Sequence, residues 1–243
     1  MCVFSTCYSV RGSEMDPEYR LRDFYVGFYF QECFAEFAAS KKMAAYDVAK
    51  SGLTWLISDA RAEIPGPMPF WRGRVKVDVW ARSVSPLFLV MGFSMSEGGA
   101  EFARGSFRAL MADLKTHRPA RFPEFARAFS ADASHSPDAA PFERLEASGE
   151  IIGSASQKVR QADLDFNNHL NNVRYLPRAI ESMPLGEVSG RRLSSYAIRY
   201  MREAFLGDEI VSESFAGAGG CYFHRLSRAS DGAVLCCAKT FWK

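Results

Sequence analysis

The stretch that decides the fold runs from Asp163 to Asn172 and reads DLDFNNHLNN. It concentrates two acids, four amides and one histidine in ten residues. Apolar residues separate these polar ones, mostly at every second position, which is the period of an extended chain: Leu164, Phe166 and Leu170. An extended chain would place four polar side chains on one face: Asp163, Asp165, Asn167 and His169. The pattern therefore predicts a face that carries acid, amide and imidazole groups together.

The chain on both sides of this stretch repeats one order of elements: a strand, a helix and several further strands. The first half shows helical spacing at Phe30, Cys33, Phe34, Phe37 and Ala38, and strand patterns at 19–25, 54–64, 72–81, 87–96 and 100–113. The second half shows a strand at 150–160, a helix with the apolar face Val173, Leu176, Ile180 and Met183, and strands at 193–202, 209–215, 221–228 and 233–242. Matching turns at Gly73 and Gly207 lie 134 residues apart. A tandem repeat explains this order, and each unit would be an α+β unit in which an antiparallel sheet wraps around one helix.

Two segments lie outside the repeat. Residues 114–148 hold four of the eleven prolines and are rich in alanine and serine, so a linker is predicted at 116–148. Residues 1–14 come before the first patterned segment, which opens at Met15. They are predicted to be a disordered tail or to lie upstream of the true start.

Composition excludes several classes of protein. With 48% hydrophobic residues, 24% charged residues and a net charge of +2, the chain reads as globular and not as a general nucleic-acid binder. No apolar run approaches the roughly 20 residues that cross a bilayer, and no secretory signal opens the chain. The six cysteines form no C-x-x-C pair, so no metal site is predicted. No cofactor is expected either. Reduced thiols favour a cytoplasmic location.

The motif D-x-N-x-H-x-N-N-x-x-Y, which runs from Asp165 to Tyr175, resembles the signature of acyl-ACP thioesterases, and the resemblance covers residues 17–243. It implies a tandem, or double, hotdog fold and hydrolysis of fatty acyl-ACP to free fatty acid and acyl carrier protein in fatty acid biosynthesis. Units are expected at 17–115 and 149–243. In this family the first unit shapes the acyl pocket, and it is expected to be catalytically silent because it has no equivalent acid, amide and histidine set.

The residues of the motif suit thioester hydrolysis, which needs a nucleophile, a proton carrier and donors for an oxyanion. His169 is the candidate proton carrier, because histidine is the residue type suited to proton transfer near neutrality. Asp165 would orient or activate, and Asn167 would hold the carbonyl or the water. A helix predicted to begin near Asn171 or Asn172 offers N–H groups to an oxyanion, although either amide could instead be a plain helix cap. Pro177 is expected to kink this helix or delay its start.

The resemblance adds a fourth catalytic candidate. Acyl-ACP thioesterases carry an acid in a Y-R-R-E-C type segment, and the matching run here, from Tyr200 to Ala204, places this acid at Glu203. Ala204 stands where the family has a cysteine, which excludes a cysteine mechanism at that position. Water activated by Glu203 or His169, and direct attack by the carboxylate of Asp165, both stay open.

The implied partner, acyl carrier protein, is acidic, so basic side chains should receive it. Arg174 and Arg178, one helical turn apart, are the candidates for this docking. The chain is expected to be a monomer or a homodimer.

Other functions stay open beside this one. The chain could be an acyl-CoA thioesterase, a hotdog-fold hydratase or dehydratase of acyl thioesters, or a non-catalytic module that binds acyl carrier protein. A metal site at Asp165, Asn167 and His169 is disfavoured, because amides are weak ligands for most transition metals.

Overall fold

In the computed structural model, residues 3–132, 135, 141–147 and 149–243 are described. The chain divides into two compact units, Met1–Phe142 and Glu143–Lys243, called here unit 1 and unit 2. Among the described residues, no helix combines the length and the apolar character that a membrane span requires.

Unit 1 is built on an antiparallel sheet in the strand order β1-β3-β4-β5-β2, with the short β6 beside β5. Its strands are β1 (Phe4–Ser9), β2 (Leu53–Glu63), β3 (Arg74–Val84), β4 (Leu89–Glu97), β5 (Ala100–Asp113) and β6 (Pro119–Ala120). Its helices are α1 (Val26–Ser40), α2 (Ala45–Ala49) and α3 (Phe125–Ala128). Helix α1 packs against β1 and β3, so this unit has the predicted arrangement of a sheet around one main helix.

The core of unit 1 follows from the apolar spacing of α1. Residues three or four apart lie on one side of a helix, and this side of α1 is buried: Val26, Tyr29, Phe30, Cys33, Phe34, Phe37 and Ala38. Phe30 stacks on both Phe93 and Phe107, with each pair of ring centroids 4.8 Å apart. In β3, Val75, Val77 and Val79 are fully buried while alternate residues face outward.

Two segments predicted to lie outside the fold are packed into unit 1. Residues 4–9 form β1, which pairs with β3, so the predicted disordered tail is wrong for these residues. Phe4 stacks on Phe37 of α1 at 5.3 Å, and this contact explains the order. Within the predicted linker, Phe125 and Phe129 are buried, and the Phe125 ring stacks on Trp55 at 5.4 Å.

Unit 2 repeats the plan with the strand order β8-β11-β10-β9-β7, again antiparallel. Its strands are β7 (Ile151–Lys158), β8 (Leu193–Tyr200), β9 (Glu209–Ala216), β10 (Cys221–Arg228) and β11 (Val234–Trp242), and its helices are α4 (Tyr175–Ile180) and α5 (Leu185–Val188). Helix α4 packs against β9, β10 and β11. The predicted α+β class is confirmed in both units.

Helix α4 is shorter than its apolar pattern predicted. A 3-10 turn at Asn172–Arg174 precedes it, and α4 ends at Ile180, before Met183. Pro177 lies in the first turn of α4, where a missing N–H costs no intrahelical hydrogen bond. Helix α4 therefore begins at Tyr175, later than Asn171 or Asn172, and this agrees with the delayed start that was predicted from Pro177.

Candidate active site

Residues 165–169 form a tight turn, so the extended conformation predicted for them is wrong. The Asp165 N–H donates to the His169 carbonyl at 2.8 Å, and Asn168 has a φ of 61°. Oδ1 of Asp165 accepts the N–H groups of Asn167 at 2.8 Å and His169 at 3.2 Å. An aspartate that binds the backbone two residues ahead favours a turn over a strand, and this bonding overrides the alternation of apolar residues.

The turn arranges its side chains differently from the extended chain with two faces that the sequence predicted. Phe166 points to solvent and is 70% exposed, while Leu170 is 2% exposed. His169 is buried to 9% exposure, whereas Asp165 and Asn167 are half-buried. The turn therefore directs the imidazole inward and leaves the apolar Phe166 outside.

The structure brings His169 together with Glu203. Glu203 lies in the loop after β8, and this loop bonds to the turn, because the Leu170 N–H donates to the Ala204 carbonyl at 2.8 Å. Nδ1 of His169 lies 3.3 Å from Oε1 of Glu203. The Phe205 ring meets the imidazole edge-on, with centroids 5.0 Å apart. A histidine and an acid from distant sequence positions therefore form one pair.

This pair suits proton transfer. A carboxylate beside Nδ1 fixes the imidazole tautomer in which Nδ1 carries the proton, and Nε2 then serves as the base. The 3.3 Å separation is slightly longer than an ideal hydrogen bond, which is common in sites without substrate. His169 and Glu203 are also residue types that bind metal ions. The expected absence of metal and cofactor stays a prediction.

The two candidate oxyanion residues lie at the start of the 3-10 turn that leads into α4. The side-chain oxygen of Asn171 accepts the Val173 N–H at 3.3 Å, which is the plain cap that the sequence left open. The Asn172 carbonyl accepts a hydrogen bond from the Tyr200 hydroxyl at 3.1 Å. Oxyanion binding by this segment stays a prediction.

The two docking candidates differ in accessibility. Arg174 is half-buried. Arg178 is buried, and its guanidinium donates to Oδ2 of Asp163 at 2.8 Å. A buried, paired arginine holds the helix to the preceding turn, so the surface role predicted for Arg178 does not fit its position.

None of the cysteines described in unit 2 suits the role of a nucleophile. Burial is the main cause that raises the pKa of Cys221, Cys236 and Cys237, which keeps these thiols protonated and poorly nucleophilic. Ala204, at the family's cysteine position, is fully buried.

The sequence reasoning assigned no role to three supporting residues, although it quoted two of them, Tyr175 and Tyr200, within its motifs. The Tyr175 hydroxyl contacts the Arg202 carbonyl at 3.5 Å, and its ring packs edge-on against Tyr200 at 5.4 Å. Burial raises the pKa of Tyr175, so it acts as a neutral phenol. The third residue, Arg228, donates to the Glu203 carbonyl at 2.7 Å. No local pattern marks the bond from Arg228 to Glu203, because the two residues lie 25 positions apart along the chain.

Unit 1 contains the same turn without the same chemistry. Oδ1 of Asp16 accepts the N–H groups of Glu18 and Arg20, both at 2.9 Å, and the Asp16 N–H donates to the Arg20 carbonyl at 2.8 Å. Tyr19 has a φ of 62°, like Asn168 of unit 2. Arg20 therefore occupies the position that His169 has in unit 2.

Comparisons with known proteins agree with these features. Residues 150–243 match the acyl-ACP thioesterase C-terminal domain. The palmitoyl-acyl carrier protein thioesterase of Arabidopsis thaliana is 24% identical over 76% of this chain and 46% of its own length. The dodecanoyl-[acyl-carrier-protein] hydrolase of Cinnamomum camphora is 22% identical over 99% of this chain and 68% of its own. The chain spans about half the length of several curated relatives that it matches.

Solved structures share the fold over nearly the whole chain. An acyl-ACP thioesterase from Bacteroides thetaiotaomicron superposes with a TM-score of 0.86 at 19% identity, covering 99% of this chain and 98% of its own. The 12:0-ACP thioesterase from Umbellularia californica gives a TM-score of 0.85 at 20% identity, covering 99% and 97%. The predicted double hotdog is confirmed by these folds. With the matching domain at 150–243, the similar curated sequences and this shared fold, the predicted resemblance to the acyl-ACP thioesterase family is confirmed.

Proposed function

We propose that this protein hydrolyses fatty acyl-ACP to free fatty acid and acyl carrier protein, as a step of fatty acid biosynthesis. The observation that carries the proposal is the His169–Glu203 pair, with Nδ1 and Oε1 3.3 Å apart in the domain that matches the acyl-ACP thioesterases. The names of the relatives support the substrate class, since they are thioesterases or hydrolases of acyl-ACP.

In the proposed mechanism a water molecule is the nucleophile. Glu203 holds the proton on Nδ1 of His169, and Nε2 takes a proton from water as the water attacks the thioester carbonyl. The imidazolium that forms is stabilised by the carboxylate of Glu203. It then returns the proton to the departing phosphopantetheine thiolate, which leaves as the thiol when the tetrahedral intermediate collapses.

The oxyanion of that intermediate needs hydrogen-bond donors. Asn167 and the backbone at Asn171 and Asn172 are the proposed donors. Asn167 follows Asp165 in the turn that carries His169, so its carboxamide belongs to the same rigid segment. Losing one such donor typically costs roughly 100-fold in kcat.

Attack by the carboxylate of Asp165 is less favoured than attack by water. Oδ1 of Asp165 already accepts two backbone N–H groups, and such bonds stabilise the carboxylate and reduce its nucleophilic character. The equivalent aspartate in unit 1 accepts the same two bonds in a turn where arginine replaces the histidine. We therefore propose that Asp165 orients the turn within the catalytic set.

We also propose separate roles for the two units. The first hotdog unit, at 17–115, would shape the acyl pocket without catalysis, and the second, at 149–243, would carry the catalytic residues; the segment 116–148 between them packs partly into unit 1. The large aromatic core around Phe30 and the arginine at position 20 support this division.

Carrier protein would reach the enzyme through basic side chains, among which Arg174 is the proposed contact. The compartment that we propose is the cytoplasm, because the five described cysteines are all free: Cys7, Cys33, Cys221, Cys236 and Cys237. The chain would work there as a monomer or a homodimer.

One assay separates this function from its alternatives. Purified protein is incubated with dodecanoyl-ACP, palmitoyl-ACP and the matching acyl-CoA esters, and free fatty acid and free thiol are both measured. Equal release of both products from acyl-ACP, and loss of release in His169→Ala, are expected. A hydratase would change the acyl chain and release no thiol, and a binding module would leave the thioester intact.

A further inference from the structure

The loop that carries Glu203 is held by a single arginine on a neighbouring strand. Three nitrogens of Arg228, at the end of β10, donate to three acceptors, two of them in the loop between β8 and β9 and one in the turn after β10. Its Nη2 donates to the Glu203 carbonyl at 2.7 Å, and its Nε to Oδ2 of Asp208 at 3.0 Å. Its Nη1 donates to Oδ2 of Asp231 at 3.0 Å. The planar guanidinium therefore fixes the backbone of Glu203 relative to two other points of unit 2.

The partners of Arg228 are themselves anchored. Oδ2 of Asp208 also accepts the Phe205 N–H at 2.9 Å, which closes the loop on itself. Oδ1 of Asp231 accepts the Ala233 N–H at 3.0 Å, and this bond is the main cause that lowers the pKa of Asp231 and keeps it charged. The side chain of Arg228 is only 19% exposed, so a rigid and largely shielded arginine holds the Glu203 carbonyl.

In unit 1 the corresponding carbonyl also accepts a hydrogen bond from an arginine, but this arginine lies on a different element. There the Leu21 N–H donates to the Pro69 carbonyl at 2.8 Å, just as Leu170 donates to Ala204 in unit 2. This pairing makes Met68 the counterpart of Glu203. The Met68 carbonyl accepts a hydrogen bond at 3.1 Å from Arg20, the residue at the histidine position. Both units thus hold this carbonyl with an arginine.

The comparison explains why the arginine that holds this carbonyl lies on a different element in each unit. In unit 1, the residue on the turn reaches across and holds the loop itself. In unit 2 that position is His169, whose Nδ1 faces the carboxylate of Glu203 instead. In unit 2 Arg228 of β10 donates the hydrogen bond to this carbonyl, so the imidazole of His169 is available for proton transfer.

We propose that Arg228 is a positioning residue for catalysis: it fixes the backbone of Glu203 so that its carboxylate stays beside Nδ1 of His169. The proposal rests on the proposed hydrolysis of acyl-ACP. Arg228 acts through Glu203, and without it the carboxylate would no longer be held in register with the imidazole. Misplacing a catalytic group by about 1 Å can cost roughly 100-fold in rate.

The test is a double-mutant cycle with dodecanoyl-ACP and palmitoyl-ACP as substrates. Arg228→Met should lower kcat by roughly 10- to 100-fold, with KM changed less than about threefold, because substrate contacts are unaffected. Arg228→Lys should fall between, because a lysine cannot reach three acceptors at once. In the Glu203→Gln background, Arg228→Met should lower kcat no further, whereas a general folding role would lower it in both backgrounds.

Arg225→Met is the matched control. Arg225 lies on the same strand and is paired with Oε2 of Glu213 at 2.9 Å, away from the Glu203 loop, so wild-type kcat is expected. If Arg228→Met shows no cooperative thermal melt, Asp231→Asn replaces it, since Asp231 is 49% exposed and orients Arg228. It should give a smaller loss that also disappears in Glu203→Gln.

The outcomes separate the two proposals. A wild-type protein that releases no fatty acid overturns the proposed function. An active wild type in which Arg228→Met behaves like Arg225→Met, or in which the losses from Arg228→Met and Glu203→Gln multiply, overturns the positioning role alone.

Discussion

At the scale of single residues, His169 is fixed by contacts of three kinds. Its own N–H binds Asp165 at 3.2 Å, its Nδ1 faces Glu203 at 3.3 Å, and Phe205 packs edge-on against its ring. A side chain held in this way loses little freedom when substrate binds, and preorganisation of this kind is what catalytic groups require. The chemistry is thus concentrated in one imidazole and one carboxylate.

The same residues allow a prediction for Ala204, which lies next to Glu203. Ala204→Cys should leave kcat for acyl-ACP within about twofold of wild type, because the proposed nucleophile is water. Ala204 is fully buried, so the added sulfur should cost about 1–3 kcal/mol of stability. Thermal melts and steady-state rates measure the two effects separately. A clear gain in rate that iodoacetamide abolishes would instead indicate a cysteine mechanism.

At the scale of elements, a buried chain of polar side chains links α4 to the sheet of unit 2. The hydroxyls of Ser182 and Ser214 lie 2.6 Å apart, and Ser214 lies 2.9 Å from Nδ1 of His224. Nε2 of His224 lies 2.8 Å from the Thr240 hydroxyl. Burial lowers the pKa of His224 from 6.5 to about 4, so this histidine is neutral in the folded protein near neutral pH.

This depressed pKa predicts how stability depends on pH. Below about pH 6.5 the unfolded chain takes up a proton at His224 while the folded protein does not, so acid favours unfolding until the pH falls to about 4. From about pH 7 to about pH 5 the free energy of unfolding should fall by about 2 kcal/mol from this group alone. Urea titrations at both pH values measure the difference. His224→Gln should shrink it, and an unchanged difference would contradict the assignment.

The aromatic core of unit 1 gives a second prediction at this scale. Phe30→Ala should lower the free energy of unfolding by about 3–5 kcal/mol, since Phe30 is buried and stacked on two other rings. Phe166→Ala is the control for losing a phenylalanine that is 70% exposed, and it should change stability by less than about 0.5 kcal/mol. Similar losses in both variants, measured by urea unfolding, would contradict the proposed packing.

The elements also show where sequence reasoning succeeds. Strand β3 and helix α1 were predicted correctly because one side of each is buried, so the apolar period reports the structure directly. The turn at 165–169 was predicted to be extended, because its apolar residues alternate. Its real shape is set by the hydrogen bonds of Asp165 to the backbone, and these produce no periodic pattern in the sequence. Strand β1 was missed because its pairing with β3 joins residues far apart in the sequence.

The candidate site was predictable to a similar degree. The motif drew attention to His169, and the family resemblance added Glu203, whose proximity depends on a loop after β8. Nothing local in the sequence indicates the bond from Arg228 to Glu203, since the two residues lie 25 positions apart. The burial of Arg178 was also hidden, because its partner Asp163 lies 15 residues away along the chain.

At the scale of the whole molecule, the net charge of +2 is too small to attract an acidic partner by itself. Docking of carrier protein must then depend on local basic groups. Arg174→Glu should raise KM for acyl-ACP several-fold more than KM for acyl-CoA, and the effect should shrink as salt is added, because salt screens the attraction between this arginine and an acidic partner. The control is Arg104→Glu, which makes the same change at an exposed arginine of unit 1. Equal effects of Arg174→Glu on both substrates would assign this arginine to folding or to the phosphopantetheine arm.

The double-mutant cycle of His169→Ala and Glu203→Gln tests the central claim most directly. With acyl-ACP as substrate, each single change should lower kcat by roughly 100-fold or more, and the double variant should be little worse than the worse single one, because groups that act as a unit are not additive. Thermal melts must show that all three variants are folded. Near-full activity in a folded Glu203→Gln protein, or losses that multiply in the double variant, would contradict the account.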